Sequence, residues 1–206
     1  MDSLWIVIII SVFIGTVIAI QISLNISSPL IPKFTIGYTT REIILLEFSS
    51  SIMALILAGK VGSNIASEIG TMRVTEQIDA LEIMGVNSAN LLILPKIAAM
   101  VSFIPVLVVF SMASGITGGF LIAQFTDIIS VSKYIYGLQS FFNEYYIWQA
   151  IFKALFFAFV ISSVASYYGY KVKGGALEVG QASTDSVVVS SVIVLLLDVV
   201  LTQILF

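Results

Sequence analysis

Glu47, Lys153 and Asp198 stand inside stretches that are otherwise apolar. A charge at the centre of a bilayer costs at least about 2.5–3.5 kcal/mol on insertion scales, so such residues need partners; they serve structural ion pairs, proton relays or substrate pathways. A second concentration of charge is ASEIGTMRVTEQIDALEIMGVN (residues 66–87), which carries Glu68, Arg73, Glu76, Asp79 and Glu82, five of the 21 charged residues in the chain. Neither Cys nor His occurs. That excludes disulfides, thiolate metal sites and Cys nucleophiles, and removes the commonest metal ligand and general base. The chain therefore offers charge pairing and docking, with no catalytic residues and no metal site.

The elements that position these residues are apolar. Hydrophobic residues make up 59% of the 206 and the mean hydropathy is +1.09, above the roughly 45–50% apolar usage of soluble domains. Since each helical crossing needs about 20 apolar residues, the fold class is an all-α polytopic membrane protein. A single integral-membrane domain over 1–206 is expected, with five spans at about 4–24, 43–59, 91–125, 148–168 and 185–206. The first lacks the positive flank of a cleaved signal peptide and is retained as a span. Pro29 and Pro32 interrupt helix after it, and Lys60, Gly62, Ser63 and Asn64 mark the second span's exit from lipid. The 35 apolar residues of 91–125, broken only by Lys96, read as one long element kinked at Pro105, with a re-entrant pair of half-helices as the competing picture. Residues 126–147 are polar, with Tyr134, Tyr136, Tyr145, Tyr146 and Trp148 in and beside them forming an interfacial aromatic cluster. The net charge of −3 is scattered and shows no basic face for nucleic acid.

The polar stretch projects as an amphipathic helix over about 65–85. Val74, Ile78 and Leu81 share one face, while Glu76, Asp79 and Glu82 lie on the opposite arc. An acidic face suits a protein partner or plain water better than anionic lipid. A solvated connecting helix and a docking helix both satisfy that pattern.

The run ALILAGKVGSNIASEIGTMRVTEQIDALEIMGVN (54–87) closely resembles the signature region of the MlaE-type permeases, membrane subunits of ABC transporters that move phospholipids between membranes. The resemblance continues in FIGTVIAIQ (13–21), around Lys96 and Pro105, in Gly115–Gly119, and from KGGALEVGQAST to LLLDVVLTQILF (173–206). It implies that the helix between spans two and three is a coupling helix. Glu68, Arg73, Glu76, Asp79 and Glu82 would then engage a cytoplasmic or stromal ABC ATPase. The implied partners are that ATPase, an MCE-domain lipid-binding protein, a second copy of this chain in a homodimer, and phospholipid. The chain has no G-x-x-x-x-G-K-[ST] phosphate loop, so it needs no cofactor of its own; ATP and Mg belong to the partner ATPase. The expected location is a bacterial inner membrane or a plastid inner envelope.

Two departures accompany the resemblance. The family usually has Arg-Glu followed by Leu-Gly-Pro in span two, where this chain reads Leu46-Glu47-Phe48-Ser49-Ser50. Family members also usually carry an amphipathic interfacial segment before span one, and this chain starts almost at the span. Counted from the far side, Glu47, Lys153 and Asp198 lie at similar depths, so Lys153 is expected to pair with Glu47 or Asp198, either as packing or as part of a gate. Phe13, Val17, Gln21 and Leu55 are candidates for a lipid path, against plain lipid-facing or packing roles. Gly115-x-x-x-Gly119 suits close helix packing within the subunit or at a dimer contact. The reading from a different class is a proton-coupled secondary transporter or channel subunit using Glu47, Lys153 and Asp198. A structural assembly subunit is a third.

Overall fold

The computed structural model describes residues 2–26, 31–126 and 129–205. Pro29, Asp127, Ile128 and Phe206, which the sequence reading drew on, lie outside them. The described residues are helical almost throughout. Helix α1 is Asp2–Asn25, α2 is Thr35–Val74, α3 is Gln77–Ile83, α4 is Ser88–Phe125, α5 is Val131–Gln139, α6 is Tyr145–Tyr170 and α7 is Ala176–Leu205. Five of these (α1, α2, α4, α6 and α7) are long and apolar enough to cross a membrane.

Several boundaries differ from the sequence reading, each for a local reason. Helix α2 runs from residue 35 to 74 rather than 43 to 59, because Lys60, Gly62, Ser63 and Asn64 leave lipid without leaving the helix. The Ser63 hydroxyl donates back to the Gly59 carbonyl at 2.5 Å, satisfying itself on its own helix. Helix α7 starts at Ala176 rather than about 185: Gly174, at φ 128°, turns the chain, and the Glu178 carboxylate accepts the Gly175 N–H at 2.7 Å. Helix α4 is one continuous element with Pro95 and Pro105 inside it, which removes the re-entrant pair. At 1.5 Å per residue it extends roughly 57 Å. The segment read as a polar interface contains α5, a helix that its short length and mixed composition conceal.

The chain forms two compact units, of which α2, α4 and α6 each supply part of both: 1–53 with 106–151, and 54–105 with 152–206. In the first unit every fourth residue of α1, Val7, Ser11, Gly15 and Ala19, is buried. Lipid tails give helices no hydrophobic reason to associate, so close backbone approach and interhelical hydrogen bonds must do so. The Ser11 and Ser111 hydroxyls lie 2.9 Å apart, and the Thr16 hydroxyl donates to the Gly118 carbonyl at 3.1 Å. A Cβ on Gly15 would strike the Gly115 carbonyl oxygen, and one on Gly118 would strike that of Val12. Gly119 makes room for the Tyr134 hydroxyl. The Gly115-x-x-x-Gly119 pattern is thus filled by packing within the chain.

Helix α5 is held in this unit by Tyr134, fully buried with Ile36, Ala123 and Ile129, and by Arg41, 1% exposed. The Arg41 guanidinium donates to the carbonyls of Leu138 (2.7 Å), Ser140 (2.9 Å) and Phe141 (3.3 Å), pairs with Glu42 at 2.5 Å, and lies against the rings of Tyr38 and Phe142. A cation at the C-terminal end of a helix meets its unpaired carbonyls, so this residue fastens α5 to α2.

In the second unit, the later part of α2 packs on α6 and α7 through small residues. Gly62 faces Ile161, Gly70 faces Val172 and Val179, and Gly169 faces Ala66 and Ile69. The Ser183 hydroxyl donates to the Ser63 carbonyl at 3.1 Å.

Candidate functional site

The charged stretch forms the end of the second unit. After Val74 the chain reverses through Thr75 and Glu76, the latter in the left-handed conformation at φ 59°, which costs a non-glycine residue about 1–2 kcal/mol. Helix α3 follows and is closed by Gly85 at φ 77°. There the Val86 N–H reaches the Leu81 carbonyl and the Gly85 N–H the Glu82 carbonyl, both at 3.0 Å. This paired closure needs glycine at its left-handed position. The helix expected over about 65–85 is therefore two, the end of α2 and the short α3, because residues 75–76 break the run.

Four of the five charged residues in this stretch are used within the chain. Glu68 pairs with Lys96 of α4 at 2.6 Å, and Arg73 pairs with Asp79 at 2.6 Å. Glu82 accepts from the Tyr170 hydroxyl at 2.8 Å and the Ser88 hydroxyl at 3.1 Å, and those two hydroxyl oxygens lie 2.9 Å apart. The Tyr170 and Ser88 hydrogen bonds, in that order, hold the Glu82 carboxyl below its ordinary range. Arg73 also lies over the Tyr170 ring, 5.8 Å from its centroid. Ile78 is fully buried beneath. Glu76 remains exposed.

Beside its exposed polar residues, the end of α3 presents apolar ones. Ile83 is 87% and Met84 67% exposed, beside exposed Gln77, Ala80 and Val86. A depression of about 380 Å³ lies alongside, lined by Glu82, Gly85, Val86, Asn87, Ser88 and Tyr170. An apolar tip rimmed by polar groups is suited to contact with a protein. The helical projection puts the acidic residues on an outward arc, and Glu76 and Glu82 are exposed; the bonds that Asp79 and Glu82 make within the chain and the exposure of Ile83 and Met84 are what it does not show, while Gly85 marks only where the helix ends.

In the membrane part of the same unit Lys153, 2% exposed, lies 2.9 Å from Asp198 Oδ1 and donates to the Thr202 hydroxyl at 2.7 Å. The approach to Asp198 is close enough for an ion pair, but its angle does not meet that of a hydrogen bond. Thr202, missed in the sequence reading, lies four residues after Asp198 and so on the same helix face. Glu47 belongs to the first unit, on a widened, π-helical stretch of α2 over Ile44–Ile52, where it accepts from the Ser51 hydroxyl at 3.3 Å. This stretch contains Ser49 and Ser50, at the positions where the family pattern has Gly-Pro. Widened turns of this kind often mark functional positions in helices. Phe13, Val17 and Gln21 lie four residues apart on the exposed side of α1, while Leu55 is half-buried in the second unit.

The model of the MlaE permease family matches residues 1–204. The chain is 33% identical over 198 residues to a probable ABC transporter permease protein of Rickettsia bellii, covering 94% of this chain and 74% of that one. It is 33% identical over 209 residues to the intermembrane phospholipid transport system permease protein MlaE of Haemophilus influenzae, covering 100% and 78%. A probable ABC transporter permease protein of Pyropia yezoensis is 35% identical over 163 residues, covering 78% and 61%. The five apolar helices and these relatives mark an integral protein of a bacterial inner membrane or a plastid envelope. The chain belongs to the MlaE permease family of ABC transporters.

Proposed function

We propose that this chain is the membrane-spanning permease subunit through which an ABC transporter moves phospholipid or a related lipid between membranes, driven by ATP hydrolysed on a separate subunit. The observation that carries the reading is the exposed apolar tip of α3, Ile83 and Met84, beside charges that are paired within the chain. Such a tip seats in a groove on an ATPase in the cytoplasm or stroma, with Glu76 and Gln77 at its edge, and ATP and Mg are held by that partner. The Haemophilus relative's name supports phospholipid as cargo. The working assembly is a homodimer with an MCE-domain lipid-binding protein on the far side. Phe13, Val17 and Gln21, on one exposed strip of α1, are the residues through which a lipid path would run, with Leu55 a further candidate. Lys153 and Asp198 are assigned to a gate in this reading, because ionisable residues inside a membrane are costly and are functional candidates by default.

Affinity purification from native membranes, comparing wild type with Ile83→Asp and with a Glu76, Asp79, Glu82 triple Ala variant, tests the docking surface. An ABC ATPase is expected with wild type and lost with Ile83→Asp. Its absence from a wild-type complex that keeps its dimer would sink the proposal. A proton-coupled transporter, which the buried Lys153–Asp198 pair also suits, would then come first and would show flux dependent on a pH gradient.

A further inference from the structure

We infer that Glu82, Ser88 and Tyr170 form the joint through which movement of α3 passes to α4 and α6, making Tyr170 a positioning residue of transport rather than a docking contact. The inference rests on the permease reading above. One carboxylate oxygen, Glu82 Oε1, accepts from the Tyr170 hydroxyl at 2.8 Å and the Ser88 hydroxyl at 3.1 Å, and the hydroxyls are 2.9 Å from each other. Glu82 is on α3, Ser88 is the first residue of α4, and Tyr170 is the last residue of α6. The three elements therefore meet at a single charge-assisted node, the stronger kind of hydrogen bond.

The position of the node makes it suited to carry displacement. Helix α2 is joined to α3 by two residues and the Arg73–Asp79 pair, and α4 follows α3 after four residues. Helix α6 has no such chain link and reaches α3 through Tyr170, with the ring under the Arg73 guanidinium. A helix pulled at its terminus moves as a stiff body. From Tyr170 back to Lys153 is 17 residues, roughly 26 Å of helix, so the node and the buried Lys153–Asp198 pair lie on one lever. Glu82 and the α3 tip are exposed while Ser88 is buried. The node is thus open on its α3 side and fixed on its α4 side, an arrangement that lets bonds part and re-form as α3 shifts.

The test uses the complete complex with its ATPase in lipid vesicles, measuring ATP hydrolysed and lipid moved together. Tyr170→Phe removes the hydroxyl and keeps the ring. The ATPase is expected to stay bound and its rate to remain within about twofold, while lipid moved per ATP falls by about fivefold or more, the scale of an ordinary coupling between sites. Glu82→Gln gives a second entry to the same node, and the double variant Glu82→Gln, Tyr170→Phe should be no worse than either single one, since both cut one link. Unchanged lipid per ATP in Tyr170→Phe overturns the inference. So does loss of the ATPase from that variant, which would put Tyr170 on the docking surface, and so does an additive double variant. If the wild-type complex holds an ATPase but moves no lipid, the permease reading fails instead, and the inference fails with it.

Discussion

Replacing Lys153 by Met deletes the cation from a pair whose members are 2% and 14% exposed, leaving Asp198 with the Lys153 side of its surroundings emptied of charge. Removing one partner of a buried ion pair costs about 3–5 kcal/mol, whereas replacing both with apolar residues of similar volume is neutral or stabilising. The Thr202 hydroxyl, which now accepts from Lys153 at 2.7 Å, can turn its proton toward Asp198, so the lower end of that range is expected for the single variant. At about 2–4 °C per kcal/mol for a chain of this size, Lys153→Met should lower the thermal midpoint by roughly 6–12 °C in detergent, while Lys153→Met with Asp198→Leu should recover most of it. Lipid flux then separates packing from gating. A double variant that is stable and transports normally shows the pair to be a packing device, while one that is stable and inactive supports the gate. A single variant that melts within about 1 °C of wild type would refute the premise, because it would mean that the pair is hydrated.

Two further outcomes follow from contacts already described. Gly118→Leu places a branched side chain where even a Cβ would strike the Val12 carbonyl, so α1 must separate from α4; overpacking of a tight site costs about 1–3 kcal/mol or more, and cross-linking between cysteines introduced at Ser11 and Ser111 should fall with it. For the α3 joint, the Glu82 carboxyl is held below its ordinary value of 4.5 by Tyr170 and Ser88. Its contribution to holding α3 is therefore present above about that pH and is lost as pH falls through the lowered folded value; the protection factors of α3 amides, which are rates taken relative to the intrinsic exchange that itself slows in acid, should fall on acidification in wild type, and an unaltered pH dependence in Tyr170→Phe would refute the assignment.

The spans were legible because twenty consecutive apolar residues have few alternatives. The polar residues were harder to place, for a physical reason. A helical projection tells which face a residue occupies but not whether that face meets water, lipid or another helix. Glu82 and Asp79 lie on the arc that the projection puts outward and are indeed exposed or half-exposed, yet Tyr170 and Arg73, distant in sequence or across a reversal of the chain, also bond them within the chain. Arg41 carries no signal of its role in the sequence, because that role depends on α5, a helix of nine residues, too short to stand out in the pattern. The Lys153–Asp198 contact was legible as one of two pairings because membrane depth is a strong constraint: an intramembrane charge has few groups within reach at its own level.

The same sorting of charges bears on orientation. Counting every Lys and Arg, the second and fourth connections and their flanks hold Lys60, Arg73, Lys96, Lys171 and Lys173, against Lys33, Arg41, Lys133 and Lys153 on the other side, five to four. The positive-inside rule counts charges that the translocation step meets in short loops near span ends. Arg41 and Lys153 are 1% and 2% exposed, committed to the carbonyls that close α5 and to Asp198. Neither behaves as a loop charge in the folded protein. Setting these two aside leaves Lys33 and Lys133, both exposed. By the same standard Lys60, Arg73 and Lys96 are only partly exposed, the last two paired with Asp79 and Glu68, which leaves Lys171 and Lys173 and a count of two to two. The exposed charges therefore favour neither side, and the proposed placement of α3 on the cytoplasmic or stromal side rests on the apolar tip that Ile83 and Met84 leave for a partner.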